Sequence, residues 1–207
     1  MKRLLLLGLG FGMAANAGAA PSSQVAWTPE SLRFVKNGNA AHGKELSATC
    51  SACHNPESEF PSLEGQLATY LYRQLHDYRQ GSRQDDVMGP MAQGLSDQDM
   101  ADLATWYSSQ EPFAGSGGAT DATGIVSRGD GPRMEPPCSV CHGGSGEGEP
   151  VDTPRLAGQK VGYLQKTLLA YKSGARANDI YSRMRLIASR LSDDEIRQLS
   201  AFYRLLK

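Results

Sequence analysis

The chain has little that would tie it to a catalyst, a membrane or a nucleic acid. Cysteine is scarce, four in 207 residues, and all four fall in two tight clusters, so none is left over for other use. Charge is balanced, with 21 Lys and Arg against 22 Asp and Glu, and no nucleic-acid partner is expected. Beyond residue 15 no apolar run approaches the ~20 residues that a bilayer core requires, which argues against stable membrane insertion. No Ser/His/Asp set, paired catalytic carboxylates or nucleotide loop occurs in a supporting context, so the chain does not read as an enzyme. With 40% hydrophobic and 21% charged residues, it has the composition of a chain that folds in water.

What is present begins with an address. Met1-Lys2-Arg3 precedes an apolar stretch from Leu4 to Ala15 and small residues ending at Ala20, the order of a secretory signal peptide over 1–19 with cleavage after Ala19. A soluble periplasmic product is expected. Its remaining length suits one domain or two small ones.

An internal repeat chooses two. The stretch from Pro61 to Arg83 matches that from Pro154 to Arg176 at a constant offset of 93, with ten identities in 23 positions. These are Pro61, Leu63, Gly65, Gln66, Tyr70, Leu71, Leu75, Tyr78, Gly81 and Arg83, each with its counterpart. The register then slips by three, aligning Leu95-Ser96-Asp97 with Leu191-Ser192-Asp193. Domains are therefore placed at 22–112 and 127–207, joined by a Gly- and Ser-containing linker over 113–126.

Each copy reads as helical. Leu67, Leu71 and Leu75 share one helix face, as do Leu164, Leu168 and Tyr171, and the helices should stop at Gly81 and Gly174. An irregular stretch follows. Ser96-x-x-Asp99 and Ser192-x-x-Glu195 are capping boxes opening a closing helix striped with Met100, Leu103 and Tyr107 or with Ile196, Leu199 and Tyr203. The run Gly143–Gly148 reads as a flexible loop, because no strand precedes it and no basic residue lies inside it to cradle phosphate. Units of about 90 residues are short of apolar core, so something else must fill the centre.

The cysteine clusters supply it. Cys50-Ser51-Ala52-Cys53-His54 and Cys138-Ser139-Val140-Cys141-His142 are both Cys-x-x-Cys-His. Two thiols at this spacing reach the two vinyl groups of one porphyrin, and the adjacent histidine falls under the iron. Two covalently bound haem c groups are expected, held by Cys50 and Cys53 with His54, and by Cys138 and Cys141 with His142. A shared zinc site is disfavoured because the pairs lie 85 residues apart, against ~15–20 in a zinc ribbon. A redox dithiol would need a βαβ context that this helical pattern does not provide.

The sixth ligand distinguishes a carrier from a catalyst. His42 and His76 have no histidine counterpart in the second copy and read as surface residues. Methionine does repeat: seven residues before Leu95 and Leu191 stand Met88 and Met184, the expected ligands, whereas Met91 maps to Ile187 and reads as packing. A thioether favours the ferrous state and raises the reduction potential.

The tandem signatures, the Pro-x-Leu-x-Gly-Gln run, the methionine ahead of Leu-Ser-Asp and the aromatic closing helix together resemble the cytochrome c4 family over nearly the whole mature chain. The resemblance implies an all-α protein of two class I cytochrome c domains with their haems close together, passing electrons to a terminal oxidase. It also implies that the carbonyls of Pro61 and Pro154 accept hydrogen bonds from His54 and His142. The chain departs from the pattern in a short lead-in with several Gly and Pro before the second haem, Ser127 to Pro137, and in a longer loop after His142. The first helix of the second domain is thereby put in question. A carrier between a quinol-oxidising complex and a terminal oxidase is the first reading, and the electron-accepting subunit of a periplasmic dehydrogenase is the second.

Overall fold

The computed structural model describes residues 22–207, so the expected signal peptide over 1–19 lies outside the described residues. The first copy contains α1 (Pro29–Lys36), α2 (Ala40–Cys50), α3 (Ala68–Gln80), α4 (Met88–Gln93) and α5 (Asp97–Ser108). The second contains α6 (Ser139–His142), α7 (Val161–Ser173), α8 (Arg183–Ala188) and α9 (Asp193–Leu205). Among the described residues only two isolated bridges, Asp130 with Glu135 and Glu149 with Thr153, interrupt an all-α architecture.

Local chemistry sets the helix bounds. Gly81 and Gly174 each adopt φ 78°, the left-handed conformation that ends a helix and that glycine takes without a Cβ penalty. Ser96 and Ser192 accept from the Asp99 and Glu195 amides, and those carboxylates accept from the serine amides in return, so α5 and α9 both begin with complete capping boxes. The apolar stripes point inward: α3 packs on α5 and α7 on α9. Leu71, Met100, Leu103 and Tyr107 centre one core, and Leu164, Ile196, Leu199 and Tyr203 centre the other.

The copies differ ahead of their cysteines. In the first, α2 crosses α5 so closely that a Cβ on Gly43 would sit 2.1 Å from the Asp102 carbonyl oxygen. In the second no counterpart of α2 forms; the chain from Gly124 to Pro137 makes turns and a short 3₁₀ segment, Gly131–Arg133. Ile125 and Val126, only 2% and 4% exposed, fill the second core where a helix would otherwise pack.

Two glycine-rich segments are less free than their composition suggests. Gly115 and Gly117 donate to the carbonyls of Leu206 and Leu205, and a Cβ on Gly115 would lie 2.4 Å from the Leu206 oxygen. Small residues there permit close approach to the end of α9. The run Gly143–Gly148 is a loop, as expected, and is tied down by hydrogen bonds: the Gly148 amide donates to the His142 carbonyl, and the Gly146 carbonyl accepts from Leu156 and Ala157. The stretches carrying Met88 and Met184 are likewise not irregular, since each methionine stands in the first turn of a short helix, α4 or α8.

Candidate functional site

In both copies the cysteine signature occupies one helical turn. The His54 amide donates to the Cys50 carbonyl at 2.8 Å and the His142 amide to the Cys138 carbonyl at 2.9 Å. Positions i, i+3 and i+4 of such a turn face the same way, so both sulfurs and the imidazole project to one side. Cys50 and Cys138 are half-buried, and Cys53 and Cys141 are exposed. Burial raises the Cys50 thiol and pushes the Cys138 thiol up to about 11. Those are the reverse of the depressed values that make a dithiol reactive.

The two histidines are held in the same way. His54 Nδ1 donates to the Pro61 carbonyl at 2.9 Å, and His142 Nδ1 donates to the Pro154 carbonyl at 2.9 Å, as the resemblance implied. Burial lowers both imidazoles below their ordinary value, partly offset by those carbonyls. A neutral ring with its proton on Nδ1 leaves the Nε2 lone pair free for a metal, and the carbonyl fixes the plane of the ring. Each carbonyl belongs to a repeated Pro-x-Leu-x-Gly-Gln run whose glycine is required by shape. Gly65 and Gly158 take φ 67° and 73° and donate to the Tyr107 and Tyr203 carbonyls of the closing helices.

Met88 opens α4 and Met184 lies in α8; these helices pack on α3 and α7. The Asp85 carboxylate caps α4 by accepting from the Val87 and Met88 amides. Asp85 acts electrostatically on His54, and Arg183, the neighbour of Met184, acts on His142. Met91, read as packing, is 42% exposed and does not enter the residue core. Of the histidines expected on the surface, His42 is engaged: its Nδ1 lies 2.8 Å from Asp102, a carboxylate of α5 that is 2% exposed. His76 is half-buried against Tyr72, with ring centroids 6.2 Å apart.

The residues identical in both copies turn out to bond the copies together. Gln66 donates to the Arg155 carbonyl and accepts from the Arg155 amide, while Gln159 donates to the Ser62 carbonyl and accepts from the Ser62 amide. Arg155 is the counterpart of Ser62, so the exchange is reciprocal. Arg83 likewise donates to the Tyr163 hydroxyl and Arg176 to the Tyr70 hydroxyl, and each guanidinium stacks on a tyrosine of its own copy, Tyr78 or Tyr171. Sequence reasoning used these identities as proof of duplication and missed their role. The available signal was that they are polar, whereas a core position needs only an apolar residue of suitable size.

These residues fit a haem. Arg176 is buried, and its Nη1 has no hydrogen-bond partner. Burial would raise the Tyr163 phenol, yet the Arg83 and Arg176 guanidiniums pull it below its ordinary value. A buried cation of this kind calls for an anion nearby, and a haem carries two carboxylates. Among the described residues no group of three or more His, Cys, Asp or Glu side chains is arranged to hold a bare metal ion.

Comparison with known proteins agrees with this geometry. The cytochrome c family model matches residues 40–111 and 134–207. A cytochrome c4 from Azotobacter vinelandii is 36% identical over 187 residues, covering 80% of this chain and 88% of that protein. A thiosulfate dehydrogenase electron acceptor from Stutzerimonas stutzeri is 37% identical over 166 residues, covering 74% of this chain and 77% of that protein. The crystal structure of reduced recombinant cytochrome c4 from Pseudomonas stutzeri superimposes with a TM-score of 0.77 at 33% identity, over 82% of this chain and all of that one.

Proposed function

The chain belongs to the cytochrome c4 family of tandem cytochrome c domains and carries two covalently bound haem c groups, and from that premise we propose that it is a periplasmic carrier passing single electrons from a quinol-oxidising complex to a terminal oxidase. When bound, each haem supplies an iron that takes up and releases one electron. The protein's own residues do the rest. Cys50 and Cys53, and Cys138 and Cys141, would hold the groups as thioethers; His54 and His142, their rings fixed by Pro61 and Pro154, would ligate the irons together with Met88 and Met184.

The observation that carries this reading is the equivalence of the two sites. Each has an oriented neutral imidazole and a methionine on a short helix packed against the equivalent helix of its own copy, α3 or α7. With both ligands in place, each iron would have no open position for substrate, which favours electron transfer with little rearrangement over catalysis. Among the described residues no helix is long and apolar enough to cross a membrane.

A second reading is favoured by the similarity to a thiosulfate dehydrogenase electron acceptor: the chain would be the dedicated acceptor of one periplasmic dehydrogenase. Purification of the native protein separates the two. A free protein reduced by a quinol-oxidising membrane fraction supports the carrier; a stoichiometric complex with one dehydrogenase supports the acceptor. Carbon monoxide binding by the resting ferrous protein would overturn both, because it requires an open iron.

A further inference from the structure

The short helices carrying the two methionines are matched in position and opposite in charge. In the register that aligns Leu95 with Leu191, Asp86 corresponds to Ser182, Val87 to Arg183, Gly89 to Arg185 and Gly94 to Arg190. Asp86 and Asp85 thus mark the first site as acidic. Around the second, Arg183 bonds only the Ile180 carbonyl at 3.3 Å and Arg190 only the Met134 carbonyl at 3.0 Å, with no carboxylate partner for either among the described residues. Arg185 is neutralised by the buried Asp179.

The same helix displays apolar surface. Arg183 and Leu186 stand at i and i+3, which puts them along one side of α8, and Arg190 lies two residues beyond the end of the helix, while Ala188 is fully buried. Leu186 is 55% exposed, and Tyr181, just ahead of the helix, is 88% exposed. Tyr181 owes that exposure to its backbone. It has φ 56° and ψ 25°, and Ser182 has φ 56° and ψ 24°, so two consecutive residues with side chains occupy the left-handed region. Such a conformation is costly for a residue with a side chain and persists only where its surroundings enforce it. Here Asp179 enforces it, binding both the amide and Nε of Arg185 at 2.9 and 2.7 Å, while Arg185 Nη2 holds the Ser182 hydroxyl at 2.8 Å. The clamp closes the loop over Ile180–Met184 and turns a large amphipathic ring to solvent.

We infer that Tyr181 and Leu186, flanked by Arg183 and Arg190, form the docking surface of the second domain for a redox protein that presents carboxylates around an apolar centre. A tyrosine of this kind anchors an interface through its ring, and the flanking guanidiniums steer the encounter. Docking brings the partner to the haem of the second domain; one electron crosses, one centre is oxidised and the other reduced by a single equivalent, and no bond or proton moves. The acidic first site is not a substitute, because its charge repels the same partner. This assignment rests on the carrier reading, in that it supplies one of the two partners.

The test uses the holoprotein on electrodes coated with mixed carboxylate- and methyl-terminated monolayers, at low ionic strength. The wild type should exchange electrons rapidly through the second haem. Arg183→Glu with Arg190→Glu should slow that exchange at least tenfold, and Asp86→Lys should leave it unchanged. Tyr181→Gly should slow it severalfold without lowering the melting temperature, because glycine accepts the left-handed backbone; that result separates docking from folding. Wild-type rates in the charge-reversed protein, or loss of exchange in Asp86→Lys, would overturn the assignment. So would a salt-sensitive dimer in sedimentation that either reversal abolishes, since it would give the surface to a second copy of this chain. Mediated solution titrations keep the two readings apart: two reversible one-electron waves in every variant leave the carrier standing even where docking fails.

Discussion

The proposed ligation turns on methionine, and three candidates stand within one stretch of the first domain and α8 of the second. Met88→Ala and Met184→Ala should each open one iron, lower the potential of that haem and create carbon monoxide binding at that site alone, with loss of the methionine-to-iron charge-transfer band. Met91→Ala should leave the spectrum of the first haem intact; disruption there with Met88→Ala silent would move the ligand by three residues. A second residue-scale effect comes from His42. Its bond to Asp102 raises the imidazole above its ordinary 6.5, with further help from Asp99 and Glu45. Burial would raise Asp102, but bonds from His42, the Asn39 amide and Gln98 hold it below its ordinary 3.8. A raised histidine stabilises fully below its unfolded pKa and loses that contribution as pH rises through the folded one. A lowered carboxylate contributes above its unfolded pKa and loses it as pH falls through the folded one. The pair should therefore stabilise most between about pH 4 and 6.5. Denaturant unfolding of wild type and His42→Ala at pH 5.5 and 8.5 checks this: the difference in stability should be larger at 5.5.

At the scale of elements, the first domain depends on α2 and α5 meeting closely, and α5 depends on its cap. Ser96 accepts from the Asp99 amide at 3.1 Å and donates its own amide to the Asp99 carboxylate at 2.9 Å. Ser96→Ala should destabilise the first domain by about 1 kcal/mol and Ser96→Gly by a few tenths, as thermal unfolding would measure. Equal losses for the two would show that the cap does not hold the helix start. The second domain reaches a packed core without a counterpart of α2, because Ile125 and Val126 occupy the position by way of turns.

At the scale of the molecule, charge divides along the repeat. From Ser22 to Pro112 six Lys and Arg face twelve Asp and Glu, net −6; from Phe113 to Lys207 thirteen face ten, net +3. Such a dipole orients the molecule toward charged partners and shifts the potentials of its centres. At ~15 Å and a water-like dielectric one charge is worth roughly 0.3 kcal/mol, on the order of 10 mV, before salt screens it. Positive surroundings favour the added electron, so the second haem should have the higher potential by tens of millivolts. Redox titration at low and high ionic strength, with each haem assigned through its methionine variant, should show a gap that narrows with salt. A higher first haem with a salt-independent gap would exclude this origin.

The sequence by itself determined what depends on short spacings: the two cysteine signatures, the helices ending at Gly81 and Gly174, the capping boxes at Ser96 and Ser192, and the duplication that orders them. Each is local, because one helical turn or one left-handed residue fixes its geometry whatever surrounds it. The all-α, two-domain architecture followed, since units so short of apolar core must be built around a haem. Only the tertiary structure decided that Gln66 and Gln159 grip the partner domain's backbone, that Arg83 and Arg176 reach across to tyrosines of the other copy, and that His42 latches a buried Asp102. It also tied the loop over Gly143–Gly148 to Leu156 and Ala157 and gave Met88 and Met184 helices to stand on. The contacts of Gln66, Gln159, Arg83, Arg176 and His42 join residues tens of positions apart. Periodicity reports which face of a helix is apolar, not which distant polar group a buried side chain will find, and that choice is made only when the chain closes on itself within and between the two domains.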